Sequence, residues 1–144
     1  MKGGKALFFV DTNILVYAFD LMEEKKHLKA VKLIESLWET KSGCISIQVL
    51  QEFHSAVTRQ RAKTFSIKES QEIIRSFTYW EVFSPKPDDI LQAISIQEKH
   101  ILSFWDAIII QSAVASGCQF LYSEDFSHGR MIEVYKCDTS LFIR

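Results

Sequence analysis

Ala6-Leu7-Phe8-Phe9-Val10-Asp11-Thr12-Asn13-Ile14-Leu15-Val16-Tyr17-Ala18 passes from one backbone signal to another within a few residues. The segment Lys5 to Val10 is apolar and aromatic, the mark of a buried strand. Asp11, Thr12 and Asn13 are helix-cap formers, and Ile14 to Phe19 continue as a short helix. A buried strand therefore runs directly into a helix, with a carboxylate at the junction.

The rest of the chain repeats this alternation. His27 to Glu39 places Leu28, Val31, Leu33, Ile34, Leu37 and Trp38 at helical spacing, and Lys41-Ser42-Gly43 ends the run. Cys44 to Ile47 reads as a second strand. Gln48 to Arg61 follows as a helix with Val49, Leu50, Phe53, Ala56 and Val57 on one face. Ser66-Ile67-Lys68-Glu69 has the form of a capping box and opens a helix to about Phe77. Tyr79 to Phe83 is rich in aromatic and β-branched residues and predicts a strand. Pro87-Asp88-Asp89 suits the first turn of a helix that runs to about Lys99. Ser103 caps the next helix, which continues through Ala115 and stops at Gly117. Gln119 to Tyr122 and Ile132 to Tyr135 complete the strands. Short apolar strands alternating with helices predict an α/β fold with a mostly parallel sheet.

With 144 residues and no linker-like stretch, one domain over 1–144 is the expectation. A content of 47% hydrophobic and 24% charged residues, without repeats or low-complexity segments, speaks against disorder and solenoids. The net charge of -1 neither supports nor excludes a nucleic-acid partner. Cys44, Cys118 and Cys137 have no metal-ligand spacing, lie in or near apolar stretches and are odd in number, which suits reduced thiols in a reducing compartment. The N-terminal apolar run is too short for a signal-peptide core. No run approaches the roughly 20 apolar residues of a membrane helix. The expectation is a soluble cytoplasmic protein with no membrane partner.

Four carboxylates stand beside these apolar segments: Asp11, Glu52, Asp106 and Asp125. Burying a carboxylate without a counter-charge or a metal is expensive. Asp11 and Asp125 come just after strands, and Glu52 and Asp106 lie in the first turns of helices. In a parallel sheet all four can reach the edge at the carboxyl ends of the strands, where such folds bind ligands. Converging carboxylates suit a hard cation, Mg²⁺ or Mn²⁺, and metal-assisted phosphodiester hydrolysis. Taken singly, each has a plainer use. Asp11 suits a helix N-cap, Glu52 a solvated helix face, Asp106 a partner for Ser103 in a capping box, and Asp125 a turn.

The four segments, in this order, resemble the PIN-domain ribonucleases. Val10-Asp11-Thr12-Asn13-Ile14-Leu15-Val16-Tyr17-Ala18 resembles their opening motif. Gln48-Val49-Leu50-Gln51-Glu52-Phe53 resembles the segment of the second acid, and Trp105-Asp106-Ala107-Ile108-Ile109 that of the third. Leu121-Tyr122-Ser123-Glu124-Asp125-Phe126 resembles the fourth, with Ser123 where threonine is frequent and Glu124 as an additional acid. The length is similar to that of VapC-type toxins of toxin–antitoxin pairs.

The resemblance implies a three-layer fold with a central, mostly parallel sheet flanked by helices. It also implies a Mg²⁺- or Mn²⁺-dependent endoribonuclease that leaves 5′-phosphates. Asp11, Glu52, Asp106 and Asp125 would be both catalytic and metal-holding, and Asn13 and Ser123 would orient them. The implied partners are an RNA substrate, a cognate antitoxin and a second copy of the chain. Arg59, Arg61 and Lys63, and separately Lys25, Lys26 and Lys29, are candidate contacts to the RNA backbone. Most aromatics fall on apolar faces and read as core rather than as base-stacking platforms. His27, His54, His100 and His128 are scattered and pair with no nucleophile. The alternative is a PIN-like RNA-binding or scaffold module without catalysis, against which the intact acid quartet argues. A phosphatase with a nucleophilic aspartate is disfavoured, because Asn13 stands where it needs a second aspartate.

Overall fold

The computed structural model describes residues 5–59 and 65–124 and the backbone of 131–134 and 141–142. Four short strands, β1 (Phe8–Val10), β2 (Gly43–Ser46), β3 (Glu81–Phe83) and β4 (Phe120–Tyr122), lie parallel to one another. β5 (Met131–Val134) pairs antiparallel with β4, and β6 (Leu141–Phe142) pairs antiparallel with β5, giving the order β3-β2-β1-β4-β5-β6. The sheet is thus mostly parallel, as expected, with an antiparallel margin.

Six helices connect the strands: α1 (Thr12–Tyr17), α2 (Glu24–Thr40), α3 (Ile47–Thr58), α4 (Ile67–Phe77), α5 (Pro87–His100) and α6 (Phe104–Ala115). Strand crossovers between parallel neighbours are right-handed. The steps from β1 to β2 and from β2 to β3 move one way along the sheet. The step from β3 to β4 returns past β1. The helices of the first two crossovers therefore cover one face and those of the third cover the other. The contacts agree, since α1 packs on α2 and α3, α3 on α4, and α5 on α6. The result is a three-layer α/β sandwich in which strand order reverses between β1 and β4. A crevice for ligands forms at such a reversal, beyond the carboxyl ends of the strands.

The core explains these elements. Phe9, Val10, Cys44, Ile45 and Leu121 are fully buried in the sheet, and Leu15, Val49, Phe53, Val57 and Ile96 close on it from the helices. α6 is apolar on every side, and Ala107 through Ala113 are all buried, as suits a helix in the middle of a layer. Ser66 and Glu69 form the expected capping box of α4. Gly117 has φ +79°, a left-handed conformation that frees the chain to turn from α6 into β4. Cys44 and Cys118 are free, buried thiols, and the contact with Cys44 together with burial pushes the Cys118 thiol pKa up. Cys137 and His128 lie outside the described residues. Among the described residues no helix is long and apolar enough to cross a membrane.

Several expected boundaries move, among them the start of α2, which lies at Glu24 rather than His27. β1 and β3 are shorter than the apolar runs that announce them. Tyr79 and Trp80 fall in a turn, where Trp80 packs its ring against Trp38 and Phe77 instead of pairing its backbone in the sheet. α3 ends at Thr58, short of the expected Arg61, and the Thr58 hydroxyl donates back to the His54 carbonyl at 2.6 Å. β6, only two residues long, has no signal of its own in the sequence.

Candidate active site

The carboxyl edge of the sheet is reached by four of the elements, each for a local reason. Asp11 is the first residue after β1, and its N–H donates to the Tyr122 carbonyl at 2.9 Å, the last rung between β1 and β4. It also caps α1, its Oδ1 accepting from the Thr12 N–H at 2.7 Å. One residue thus ends a strand and caps a helix. Its other oxygen, Oδ2, accepts from the Ser123 hydroxyl at 2.7 Å. Asp11 is only 3% exposed and Ser123 is fully buried, so this carboxylate is fixed by donors on both of its oxygens.

Glu52 lies in the second turn of α3, whose first turn follows directly from β2. Sequence neighbours such as Phe53 suggest a position toward the buried side, but the Glu52 side chain is exposed. It is nevertheless tethered. Oε1 accepts from the Thr12 hydroxyl at 2.6 Å and Oε2 from Gln48 Nε2 at 3.0 Å. Thr12 therefore links the first two acids, donating its N–H to Asp11 and its hydroxyl to Glu52. Local capping is the usual task of such a threonine, so the bridge was not visible in the sequence.

Asp106 is the third residue of α6, and its N–H donates to the hydroxyl of the capping residue Ser103 at 3.1 Å. α6 runs back toward the amino end of β4, so its own first turn lies at the carboxyl edge. Asp106 is half-buried there. Its neighbour Trp105 is 64% exposed, one of the aromatics that stand outside the core. Asn13 Oδ1 accepts from the Glu124 N–H at 3.3 Å, so Asn13 holds the backbone beyond β4.

Asp125, Arg61 and Lys63 lie outside the described residues. Arg59 is exposed at the end of α3, with an extended ψ of 140°. Lys25 and Lys29 are exposed on α2. Lys26 instead forms an ion pair with Glu124 at 2.8 Å.

The structure thus brings Asp11, Thr12, Ser123 and Glu52 into one hydrogen-bonded chain and sets Asp106 on the same edge. Among the described residues no three acidic, histidine or cysteine side chains gather closely enough to hold an ion. The donors are nonetheless oxygens throughout, with no thiol or imidazole among them, and Asp11 is pre-oriented by two hydrogen bonds. That chemistry fits a hard divalent cation.

The chain matches the model of the PIN domain over residues 8–132. No curated protein sequence matches it. Among solved structures it is similar to the Mycobacterium tuberculosis toxin VapC20, described as cleaving the sarcin–ricin loop. That pair has 23% identity and a TM-score of 0.61, covering 81% of this chain and 88% of the other. A toxin–antitoxin complex from Klebsiella pneumoniae is similar at 18% identity and a TM-score of 0.61, covering 83% and 86%. VapBC2 from Rickettsia felis, bound to a DNA fragment of its promoter, is similar at 19% identity and a TM-score of 0.59, covering 82% and 86%. At these identities the likeness speaks for the fold.

Proposed function

The chain belongs to the PIN-domain family, and from that premise we propose that it is a Mg²⁺- or Mn²⁺-dependent endoribonuclease, the VapC-type toxin of a toxin–antitoxin pair. The observation that carries the proposal is the state of Asp11, a buried carboxylate at the strand-order reversal with both oxygens hydrogen-bonded. Asp11, Glu52, Asp106 and Asp125 would hold the ion, directly or through water. When bound, such an ion acidifies a water and neutralises charge on the phosphate under attack.

The chain's own residues prepare that site. Ser123 and the Thr12 N–H fix the orientation of Asp11. The Thr12 hydroxyl holds Glu52 facing the same edge although it is exposed. Asp106 enters from the opposite helical layer, which places acids on both sides of the crevice. In this reading Arg59, Arg61 and Lys63 contact the RNA backbone, residues 1–144 act as one domain, and the protein works in the cytoplasm. The similar structures from toxin–antitoxin pairs support an antitoxin partner. A homodimer follows from the family resemblance alone.

The second reading is a PIN-like RNA-binding or scaffold module without catalysis. One experiment separates the two. A labelled structured RNA pool is incubated with Mn²⁺, with EDTA, and with the Asp11→Asn protein beside wild type. Cleavage that disappears in both controls is expected. RNA bound but uncut in every arm would give the molecule to the second reading.

A further inference from the structure

Glu124 has no task in the proposed reaction, yet the structure surrounds it with contacts. One carboxylate oxygen accepts from the Tyr17 hydroxyl at 2.5 Å, and the other lies 2.8 Å from Lys26 Nζ. Lys26 Nζ also donates to the Tyr17 hydroxyl at 3.2 Å and sits 4.9 Å from the centroid of its ring. The backbone is held as well, because the Glu124 N–H donates to Asn13 Oδ1. The preceding residue is Ser123, whose hydroxyl donates to Asp11 Oδ2. One dipeptide therefore carries the donor that orients a buried acid and a side chain anchored to both α1 and the first turn of α2.

The geometry points to Lys26 and Tyr17 as positioning residues: by gripping Glu124 they hold the end of β4 against α1 and so keep the Ser123 hydroxyl on Asp11. The catalytic consequence rests on the ribonuclease reading, whereas the clamp itself does not.

Three features support the clamp. The backbone ladder between β1 and β4 ends at the bond from Asp11 N–H to the Tyr122 carbonyl, so Ser123 and Glu124 begin beyond it. The protonation states suit the contacts. Burial, then the hydrogen bond to Glu124, raises the Tyr17 phenol pKa, and Glu124 raises that of the Lys26 ammonium. Tyr17 therefore stays a donor and Lys26 a cation at neutral pH. Finally, an ion pair whose lysine is about half exposed adds little to stability, so stability gives weak grounds for building it. Misplacing a reacting group by a fraction of an ångström to an ångström, by contrast, slows chemistry steeply.

The test uses Lys26→Met, Lys26→Arg, Tyr17→Phe and, as a control on the outer face of α2, Lys32→Met. Amide hydrogen exchange at Glu124 is followed in the metal-free proteins, and apparent kcat and KM are measured on the labelled RNA pool with Mn²⁺. Lys26→Met is expected to speed exchange at Glu124 and to lower kcat by about tenfold, with KM within about twofold of wild type. Tyr17→Phe should act in the same direction, Lys26→Arg should restore both readings, and Lys32→Met should match wild type. Unchanged exchange and kcat in both Lys26→Met and Tyr17→Phe would overturn the clamp. A change in KM alone would also overturn it, by making Lys26 an RNA contact. If wild type cuts no RNA, the ribonuclease reading falls, and exchange at Glu124 alone decides whether the clamp stands.

Discussion

At the scale of single residues, Asp11 ends a strand, caps a helix and, in the proposed reading, holds the ion with its carboxylate. Asparagine can reproduce the first two tasks. Its carbonyl oxygen accepts from the Thr12 N–H, its amide donates to Ser123, and asparagine caps helices about as well as aspartate. Asp11→Asn should therefore abolish RNA cleavage while metal-free stability stays within about 1 kcal/mol of wild type, or rises as charge repulsion between the acids falls. Thermal melts in EDTA beside cleavage assays in Mn²⁺ check both halves, and retained activity at matched metal would sink the assignment of Asp11. Ser123→Ala makes a complementary case. It removes a fully buried donor from a buried carboxylate, which should cost about 1–3 kcal/mol in a denaturant melt and lower kcat as well. A Ser123→Ala protein as stable and as fast as wild type would show that the hydroxyl does not orient the acid. Glu124 and Thr12 show what a sequence cannot carry at this scale. Their partners, Lys26 and Glu52, lie far away along the chain, and only the folded topology brings them together.

Elements were legible where local chemistry decides them. The capping box at Ser66, the proline opening of α5 and the Ser103 cap of α6 are all found as the sequence implies. They were less legible where tertiary packing competes with local preference. Tyr79 and Trp80 carry a strand's composition, but the Trp80 ring is drawn into the cluster with Trp38 and Phe77, and the strand starts later. The same cluster sets a constraint on β2. A Cβ placed on Gly43 would come within 2.5 Å of the buried Trp80 ring, so the ring would have to shift. Gly43→Ala should destabilise the protein by about 1–3 kcal/mol through overpacking, and calorimetric melting gives the answer. A neutral result would mean that the ring can shift, and that the edge of the sheet is looser than its packing implies. For α6 the cap matters to the site as well as to the helix. Ser103→Ala should cost about 1 kcal/mol and loosen the turn that carries Asp106.

The whole molecule explains why acids so far apart in sequence share an edge. Asp11 and Ser123 flank the reversal of strand order, Glu52 comes from the helical layer of the first two crossovers, and Asp106 comes from the layer of the third. A site built from these acids would be held by the global fold rather than by one loop, so a ligand bound there should report on global stability. An ion that binds only the native arrangement stabilises by mass action. At about 100 times its Kd the gain is about 2.7 kcal/mol, which for a chain of this size corresponds to about 8 °C in Tm. Mn²⁺ or Mg²⁺ should accordingly raise the Tm of the wild-type protein, and the rise should shrink or vanish in Asp11→Asn. Calcium, which accepts oxygen ligands with looser geometry, should also raise Tm without necessarily supporting cleavage. An equal shift in wild type and Asp11→Asn would place the ion elsewhere on the surface. No shift at tens of millimolar metal would mean that the acids at this edge do not form a site before RNA arrives, and the carboxylates would then need the substrate's own phosphate to complete the binding of an ion.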